Sequence, residues 1–229
     1  MKNLHKLVNP RWILPHLAAG LPALWLAWAW QGDALGINPI QAATQFSGRT
    51  ALTMLAFSLA CTPLHTLFGW RYVLPWRRSL GLYAFVWAAV HLFFFVWVDY
   101  GLDWAALHLD VGGKPYVWVG ALAMLILAAL AFTSHRWWMK HLKRRWKALH
   151  RLVYLAAALV LVHYFWVAKG NFWGLNGNIV RPLIYSAAVG LLLALRVPAI
   201  RQRLVRLRGH VHAARQKISR RSDTLRRAL

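Results

Sequence analysis

The sequence predicts an all-α protein, a polytopic membrane bundle of six transmembrane helices with both termini in the cytoplasm. Hydrophobic residues make up 59% of the 229 positions, the mean hydropathy is +0.42, and only 14% of residues are charged, with no glutamate. Soluble domains usually carry about 25% charged residues, so a soluble domain of this composition would lack polar residues for its surface. The same apolar content excludes an intrinsically disordered chain.

Six apolar segments are long enough to cross a bilayer, which takes about 20 helical residues. They cover 12–30, 50–68, 80–98, 115–132, 149–168 and 179–197. We expect one transmembrane domain over 1–200, followed by a basic cytoplasmic tail over 201–229. The single cysteine, Cys61, lies inside the second segment and cannot form an intramolecular disulfide.

The basic residues are concentrated on alternate connections. The N-terminal segment holds three Lys and Arg residues, the second connection three, the fourth connection with the start of the fifth helix seven, and the chain from Arg196 onward eleven. Together these are 24 of the 28 basic residues, whereas the other connections hold four of the five acidic ones, Asp33, Asp99, Asp103 and Asp110. By the positive-inside rule the basic side is cytoplasmic.

The basic tail carries Leu204, Leu207 and Val211 at helical spacing. This pattern predicts a helix that lies on anionic lipid headgroups. Docking of an acidic cytoplasmic partner is the main alternative. Nucleic-acid binding is not expected, because apolar runs separate the charges of the chain instead of leaving them on one face.

Two histidines are predicted to lie at one depth in the membrane, where an ionisable side chain usually has a function. The third and fifth helices run in the same direction. His91 lies 12 residues beyond Ser79, or about 18 Å, and His163 lies 14 residues beyond Leu149, or about 21 Å. Imidazoles at one level on two helices can ligate one iron from opposite sides of a porphyrin. They are therefore candidate axial ligands of haem b, which needs no covalent attachment motif.

The third helix also carries small residues next to its histidine. Gly81, Ala84, Ala88 and His91 follow a 3, 4, 3 spacing, which places them on one helix face that a flat macrocycle could approach. The alternative is a stripe for helix–helix packing, with His91 hydrogen-bonded inside the bundle. A zinc site is less favoured, because no carboxylate or cysteine accompanies the histidines.

A third histidine, His150, precedes His163 by 13 residues in the same predicted helix. It is expected about 20 Å lower and turned by about 140°. His150 suits a second iron site near the cytoplasmic side, or alternatively caps the inner interface. No good haem ligand lies at the matching depth on the third helix, although His16 and His65 lie near the inner ends of their own helices.

Several motifs together carry a resemblance to a known family. They are FSGRTAL from Phe46, RRSLGL from Arg77 leading to Trp87 and His91–Leu92, ALAFTS from Ala129, Leu149–His150, His163–Tyr164, and RPLIY from Arg181. On these motifs the chain, from residue 12 to about 207, resembles the MsrQ (YedZ) family. Its members are haem-binding membrane subunits of bacterial protein-methionine-sulfoxide reductase systems, in the ferric-reductase-like transmembrane group.

The resemblance implies haem b between the third and fifth helices, together with flavin mononucleotide (FMN). It implies electron flow from a cytoplasmic flavin reductase or the quinone pool to a periplasmic molybdopterin-containing methionine sulfoxide reductase. The chain would then be an electron-transfer subunit of the bacterial inner membrane, not an enzyme acting on methionine sulfoxide alone. The alternatives are a self-standing ferric or quinol-linked cytochrome b and, in another class, a small transporter with a histidine proton relay.

Overall fold

The computed structural model describes residues 10–168 and 179–197, with isolated positions between 200 and 206. Throughout these ranges the regular structure is helical and no strand occurs, so the all-α prediction is confirmed. The helices are α1 (Pro10–Gln31), α2 (Pro39–Phe68), α3 (Trp76–Phe93), α4 (Trp104–Val111), α5 (Pro115–Phe132), α6 (Arg136–His150), α7 (Leu152–Ala168) and α8 (Val180–Ala194). A 3₁₀ turn, Arg71–Val73, precedes α3, and a π-helical segment, Phe94–Asp99, continues it.

Five stretches of the described chain are long and apolar enough to cross a membrane. They are Ile13–Gln31, Pro39–Phe68, Arg71–Asp99, Pro115–Phe132 and Arg136–Ala168. The sixth predicted segment contains α8, which at 15 residues is shorter than these. The five stretches support a multi-pass membrane protein, whereas the sixth span and the cytoplasmic termini stay predictions. The tail over 201–229 lies almost wholly outside the described residues.

The described helices expose large apolar side chains and bury small ones. Leu24 and Trp28 are 69% and 65% exposed, while Ala84 and Ala156 are fully buried. Small residues let helix backbones approach closely, and large apolar residues face lipid at no cost. The distribution is therefore that of a bundle surrounded by hydrocarbon.

Two closely packed helix pairs form the centre of the bundle. In one pair α2 packs along α3, in the other α5 packs along α7, and the two pairs meet where α3 contacts α5. Helix α1 lies against α3, and α8 lies against α2 and α7. This arrangement brings the third and fifth predicted spans, α3 and α7, to the middle of the bundle.

The small residues of α3 pack on α2 instead of lining an open slot. A Cβ at Gly81 would lie 3.4 Å from the hydroxyl of Ser58 in α2. That hydroxyl donates to the carbonyl of Arg77 at 2.8 Å, and Ala84 lies in the buried core. The prediction of a macrocycle against Gly81 and Ala84 is therefore wrong, because the neighbouring helix already occupies this face.

The predicted fifth helix changes its hydrogen bonding close to its start. Helix α6 ends at His150 and α7 begins at Leu152. The amide of Arg151 donates to the carbonyl of Ala148, and the carbonyl of Arg151 accepts from Tyr154, so tight three-residue bonds replace the α-helical ladder. Arg151 keeps right-handed helical backbone angles, and Arg136–Ala168 is one stretch long enough to cross a membrane, so the predicted fifth helix tightens at Arg151 without ending there.

A proline inside α2 creates a link to the end of α8. Pro63 has no N–H, so the carbonyl of Leu59, one turn earlier, lacks its helical donor. The guanidinium of Arg196, just beyond α8, donates to this carbonyl through Nη2. The first core helix and the last described helix are thereby joined by a side chain-to-backbone hydrogen bond.

Candidate functional site

The structure brings together the two histidines predicted to share one depth. His91 lies in the last turns of α3 and His163 in the C-terminal half of α7, and both are half-buried. Their ring centroids are 6.3 Å apart, and the ring planes are inclined by 83°. The pair lies at the contact between the α2–α3 and α5–α7 units.

A backbone carbonyl fixes each imidazole. The Nδ1 atom of His91 lies 2.8 Å from the carbonyl oxygen of Thr44, and that of His163 lies 2.8 Å from the carbonyl oxygen of Tyr116. A carbonyl can only accept, so Nδ1 carries the hydrogen and Nε2 keeps a free lone pair in both rings. Histidines that bind metals almost always hold their second nitrogen in this way.

A glycine makes room for each ring. Gly48 follows Thr44 by one helical turn, and a Cβ there would lie 3.0 Å from Nδ1 of His91. Gly120 follows Tyr116 by one turn, and a Cβ there would lie 2.7 Å from Nδ1 of His163. Only glycine lets the two imidazoles approach the helix backbone this closely.

The two halves of the site use the same residue spacing, and each residue of one half has its counterpart 72 residues later in the other. In both, the residue whose carbonyl accepts from the imidazole is followed four residues later by glycine and 43 residues after that by histidine: Thr44, Gly48 and His91 in one half, Tyr116, Gly120 and His163 in the other. The carbonyl and glycine positions were not predicted from the sequence. A search for internal repeats at this spacing would have aligned them.

The distance between the two rings is compatible with one metal ion bound between them. A metal–imidazole nitrogen bond is about 2 Å, and a ring centroid lies about 1 Å further, so trans imidazoles have centroids about 6 Å apart. The observed separation is 6.3 Å. Within the described ranges no group of three or more His, Cys, Asp or Glu could hold a metal ion. The site thus fits a metal whose other ligands come from a macrocycle better than it fits zinc.

His150 lies in a different environment from this pair. Its ring stacks on Trp146 at 3.9 Å between centroids, and its Nδ1 donates to the Trp146 carbonyl at 3.2 Å. Its Nε2 is buried and has no hydrogen-bond partner within the described structure. Of the other inner histidines, His16 of α1 is hydrogen-bonded to the hydroxyl of Tyr83 in α3.

Comparisons with known proteins identify the family of the chain. Residues 47–161 match the family model described as ferric reductase like transmembrane component. The chain is 41% identical over 189 residues to the protein-methionine-sulfoxide reductase heme-binding subunit MsrQ of Rhodospirillum rubrum, covering 82% of this chain and 88% of that relative. It is 39% identical over 174 residues to the protein of that name from Bordetella pertussis, covering 75% of this chain and 82% of that relative. The chain therefore belongs to the MsrQ family of heme-binding subunits, within the ferric-reductase-like transmembrane group.

Proposed function

We propose that the chain is a membrane cytochrome b subunit that passes electrons from a cytoplasmic flavin reductase or the quinone pool to a periplasmic molybdopterin-containing methionine sulfoxide reductase. It would thereby support the repair of oxidised periplasmic proteins from the inner membrane of a bacterium. The observation that carries the proposal is the His91–His163 pair, with both Nε2 lone pairs free and the ring centroids 6.3 Å apart. Both relatives are named as heme-binding subunits of a protein-methionine-sulfoxide reductase, which supports the assignment to a reductase system.

The chain's own residues account for how such a group would be held. His91 and His163 would bind the iron of haem b through Nε2, and haem supplies one-electron redox chemistry. The carbonyls of Thr44 and Tyr116 keep both imidazoles in the ligating tautomer and increase their basicity. Because neither ring can turn away without losing its hydrogen bond, the site is organised before it is filled.

Two arginines interact with Tyr164, the residue that follows His163. Arg49 of α2 and Arg181 of α8 both lie close enough to the hydroxyl of Tyr164 to interact with it electrostatically. Tyr164 follows His163 directly and contacts the ring of Tyr185 in α8, at 6.0 Å between centroids. Arginine pairs well with carboxylates, so these side chains favour the propionates of a haem held between His91 and His163.

His150 would act where electrons enter. The predicted orientation places it near the cytoplasmic side, and its buried Nε2 carries an unpaired lone pair. We include it as a second haem ligand or as a support for the flavin. FMN enters this proposal through the family resemblance alone, and its test is release of a fluorescent flavin from the purified protein.

An optical spectrum of the purified full chain tests the proposal. We expect a Soret band and an α-band that change on reduction, and we expect both to be lost in His91→Ala and in His163→Ala. His141→Ala is the control, because His141 is an exposed histidine of α6. A colourless preparation would favour the transporter alternative. Failure of the molybdopterin subunit to reoxidise the reduced protein would favour a self-standing cytochrome.

A further inference from the structure

A small polar cavity lies at the end of the bundle where the basic connections meet. Its volume is about 140 Å³, and it is enclosed by α2, the first turns of α3 and α7, and the residues that follow α8. Its polar lining comprises Thr62, Thr66 and Tyr154 together with two arginines, Arg77 and Arg196. None of the residues that line it is acidic.

One of the two arginines is held rigidly in the wall of this cavity. Nη1 of Arg196 donates to the hydroxyl of Tyr154 at 2.8 Å, and Nη2 donates to the carbonyl of Leu59. The guanidinium also lies 5.4 Å from the centroid of the Tyr154 ring. The position of Arg196 is therefore fixed by three contacts from α2 and α7.

Two polar atoms at the cavity are buried without a partner in the described structure. They are Nε of Arg196 and the hydroxyl oxygen of Thr62. A buried donor that pairs with nothing costs more than a hydrogen bond contributes. Both atoms belong to residues that line the cavity, and the protein supplies a partner for neither of them.

The charges point to the sign of that ligand. Arg77 and Arg196 lie close enough to repel each other, and no carboxylate lines the cavity to neutralise them. Arg196 is half-buried and Arg77 is exposed, and an anion between them would be attracted by both charges. Arginine is the side chain best suited to phosphate, because its planar N–H groups match the phosphate oxygens.

We propose that this cavity binds a phosphate group, presented by the headgroup of an anionic phospholipid. Arg77 and Tyr154 lie in the first turns of α3 and α7, which is the level of the headgroups in a helix that crosses a bilayer. Basic pockets between transmembrane helices are known binding sites for anionic headgroups. A volume of about 140 Å³ admits a phosphate but not a three-ring flavin, so a soluble phosphate ester would insert only its phosphate.

The test compares single substitutions in the full chain, purified in detergent. Arg77→Gln removes one cavity charge, and Arg78→Gln is the matched control, since Arg78 is the adjacent exposed arginine and does not line the cavity. The melting midpoint is followed while phosphatidylglycerol, or phosphatidylcholine as the neutral lipid, is added. We expect phosphatidylglycerol to raise the midpoint of the wild type and of Arg78→Gln equally. Arg77→Gln should need about tenfold more of this lipid for the same rise.

A second variant covers the case in which removal of an arginine disturbs folding. Thr62→Val keeps the size of the side chain and removes the unpartnered hydroxyl. In lipid-free detergent this variant should be as stable as the wild type or more stable. With phosphatidylglycerol it should show a smaller rise in midpoint than the wild type.

Two further additions, inorganic phosphate and FMN, identify the source of the phosphate. If inorganic phosphate or FMN raises the midpoint in an Arg77-dependent way while phosphatidylglycerol does not, the phosphate site stands and the lipid is rejected as its ligand. If no phosphate source distinguishes Arg77→Gln from Arg78→Gln, and Thr62→Val responds to lipid as the wild type does, the proposal is overturned. None of these readouts depends on haem or on electron transfer.

Discussion

The imidazole rings of His91 and His163 stand almost perpendicular to one another, with an angle of 83° between their planes. Each plane is set by a carbonyl on a different helix, Thr44 of α2 for one ring and Tyr116 of α5 for the other. The mutual orientation of the rings therefore follows from the packing of two helix pairs. A change in either pair would move one ring relative to the other.

The two glycines beneath the rings should differ in their tolerance of a methyl group. Gly120→Ala places Cβ 2.7 Å from His163, which forces the ring to move, whereas Gly48→Ala places it 3.0 Å from His91, where a small adjustment suffices. Overpacking of this kind costs about 1–3 kcal/mol. We expect Gly120→Ala to lose most of its haem and Gly48→Ala to keep it with an altered spectrum. The measurement is the haem-to-protein ratio with the optical spectrum.

Gly190→Ala in α8 is the control for both glycine variants. A Cβ at Gly190 meets nothing within 4 Å, so its haem content should equal that of the wild type. If Gly120→Ala were indistinguishable from Gly190→Ala in haem content and spectrum, Gly120 would have no role in positioning His163.

His150→Ala should slow reduction by a cytoplasmic donor or a quinol, while the main haem stays bound and reducible by dithionite. The reason is that His150 offers an unpaired Nε2 at the end where electrons are expected to enter. His141→Ala is a matched control, because His141 has equivalent contacts. Its ring stacks on Trp137 at the same 3.9 Å between centroids, and its Nδ1 donates to the carbonyl of Trp137, one turn earlier. The measurement is the stopped-flow rate of haem reduction.

Two outcomes for His150→Ala would contradict this prediction. An unchanged rate would make His150 an interface residue only. Loss of the main haem would mean that His150, not His163, is the partner of His91, which the depth difference of about 17 Å between their predicted positions argues against.

The orientation can be checked with reporters at two positions. A reporter fused after Leu229 should behave as cytoplasmic, because 24 of the 28 basic residues lie on the connections of that side. A reporter inserted at Gly112, in the connection after α4, should behave as periplasmic. The opposite pattern of reporter activity would invert the proposed direction of electron flow.

Replacing a core leucine with alanine should lower the free energy of unfolding more than replacing a lipid-facing leucine does. Leu55 is 2% exposed and belongs to the core between α2 and its neighbours, so Leu55→Ala should lower the free energy of unfolding by about 2–5 kcal/mol. Leu125 is 68% exposed, and Leu125→Ala should change it by less than about 0.5 kcal/mol. Denaturant unfolding in detergent measures both. Equal losses would contradict the packing of α2.

The sequence predicted those features of the fold and site that depend on the constant geometry of a helix. The rise of a helix is constant, so residue offsets alone placed His91 and His163 at one level, and the structure puts their rings side by side. The apolar segments likewise predicted the long helices, since the length needed to cross hydrocarbon is fixed.

The sequence was less informative about which helix each face meets. The small face of α3 suited a macrocycle or another helix equally well, and only the position of Ser58 shows that α2 occupies it. The carbonyls of Thr44 and Tyr116 carry no side-chain signal, because every residue has one. The tightened turn at Arg151 was also hidden, since neither proline nor glycine marks it.

The bond between Arg196 and the Leu59 carbonyl has a consequence for biogenesis. The chain is synthesised from its N-terminus, so the carbonyl that Pro63 leaves without a donor enters the membrane 137 residues before Arg196 is made. A buried carbonyl without a donor is costly, and Leu59 is buried, so α2 reaches its final hydrogen bonding only when the end of α8 arrives. A chain that stops short of residue 196 would carry this defect permanently.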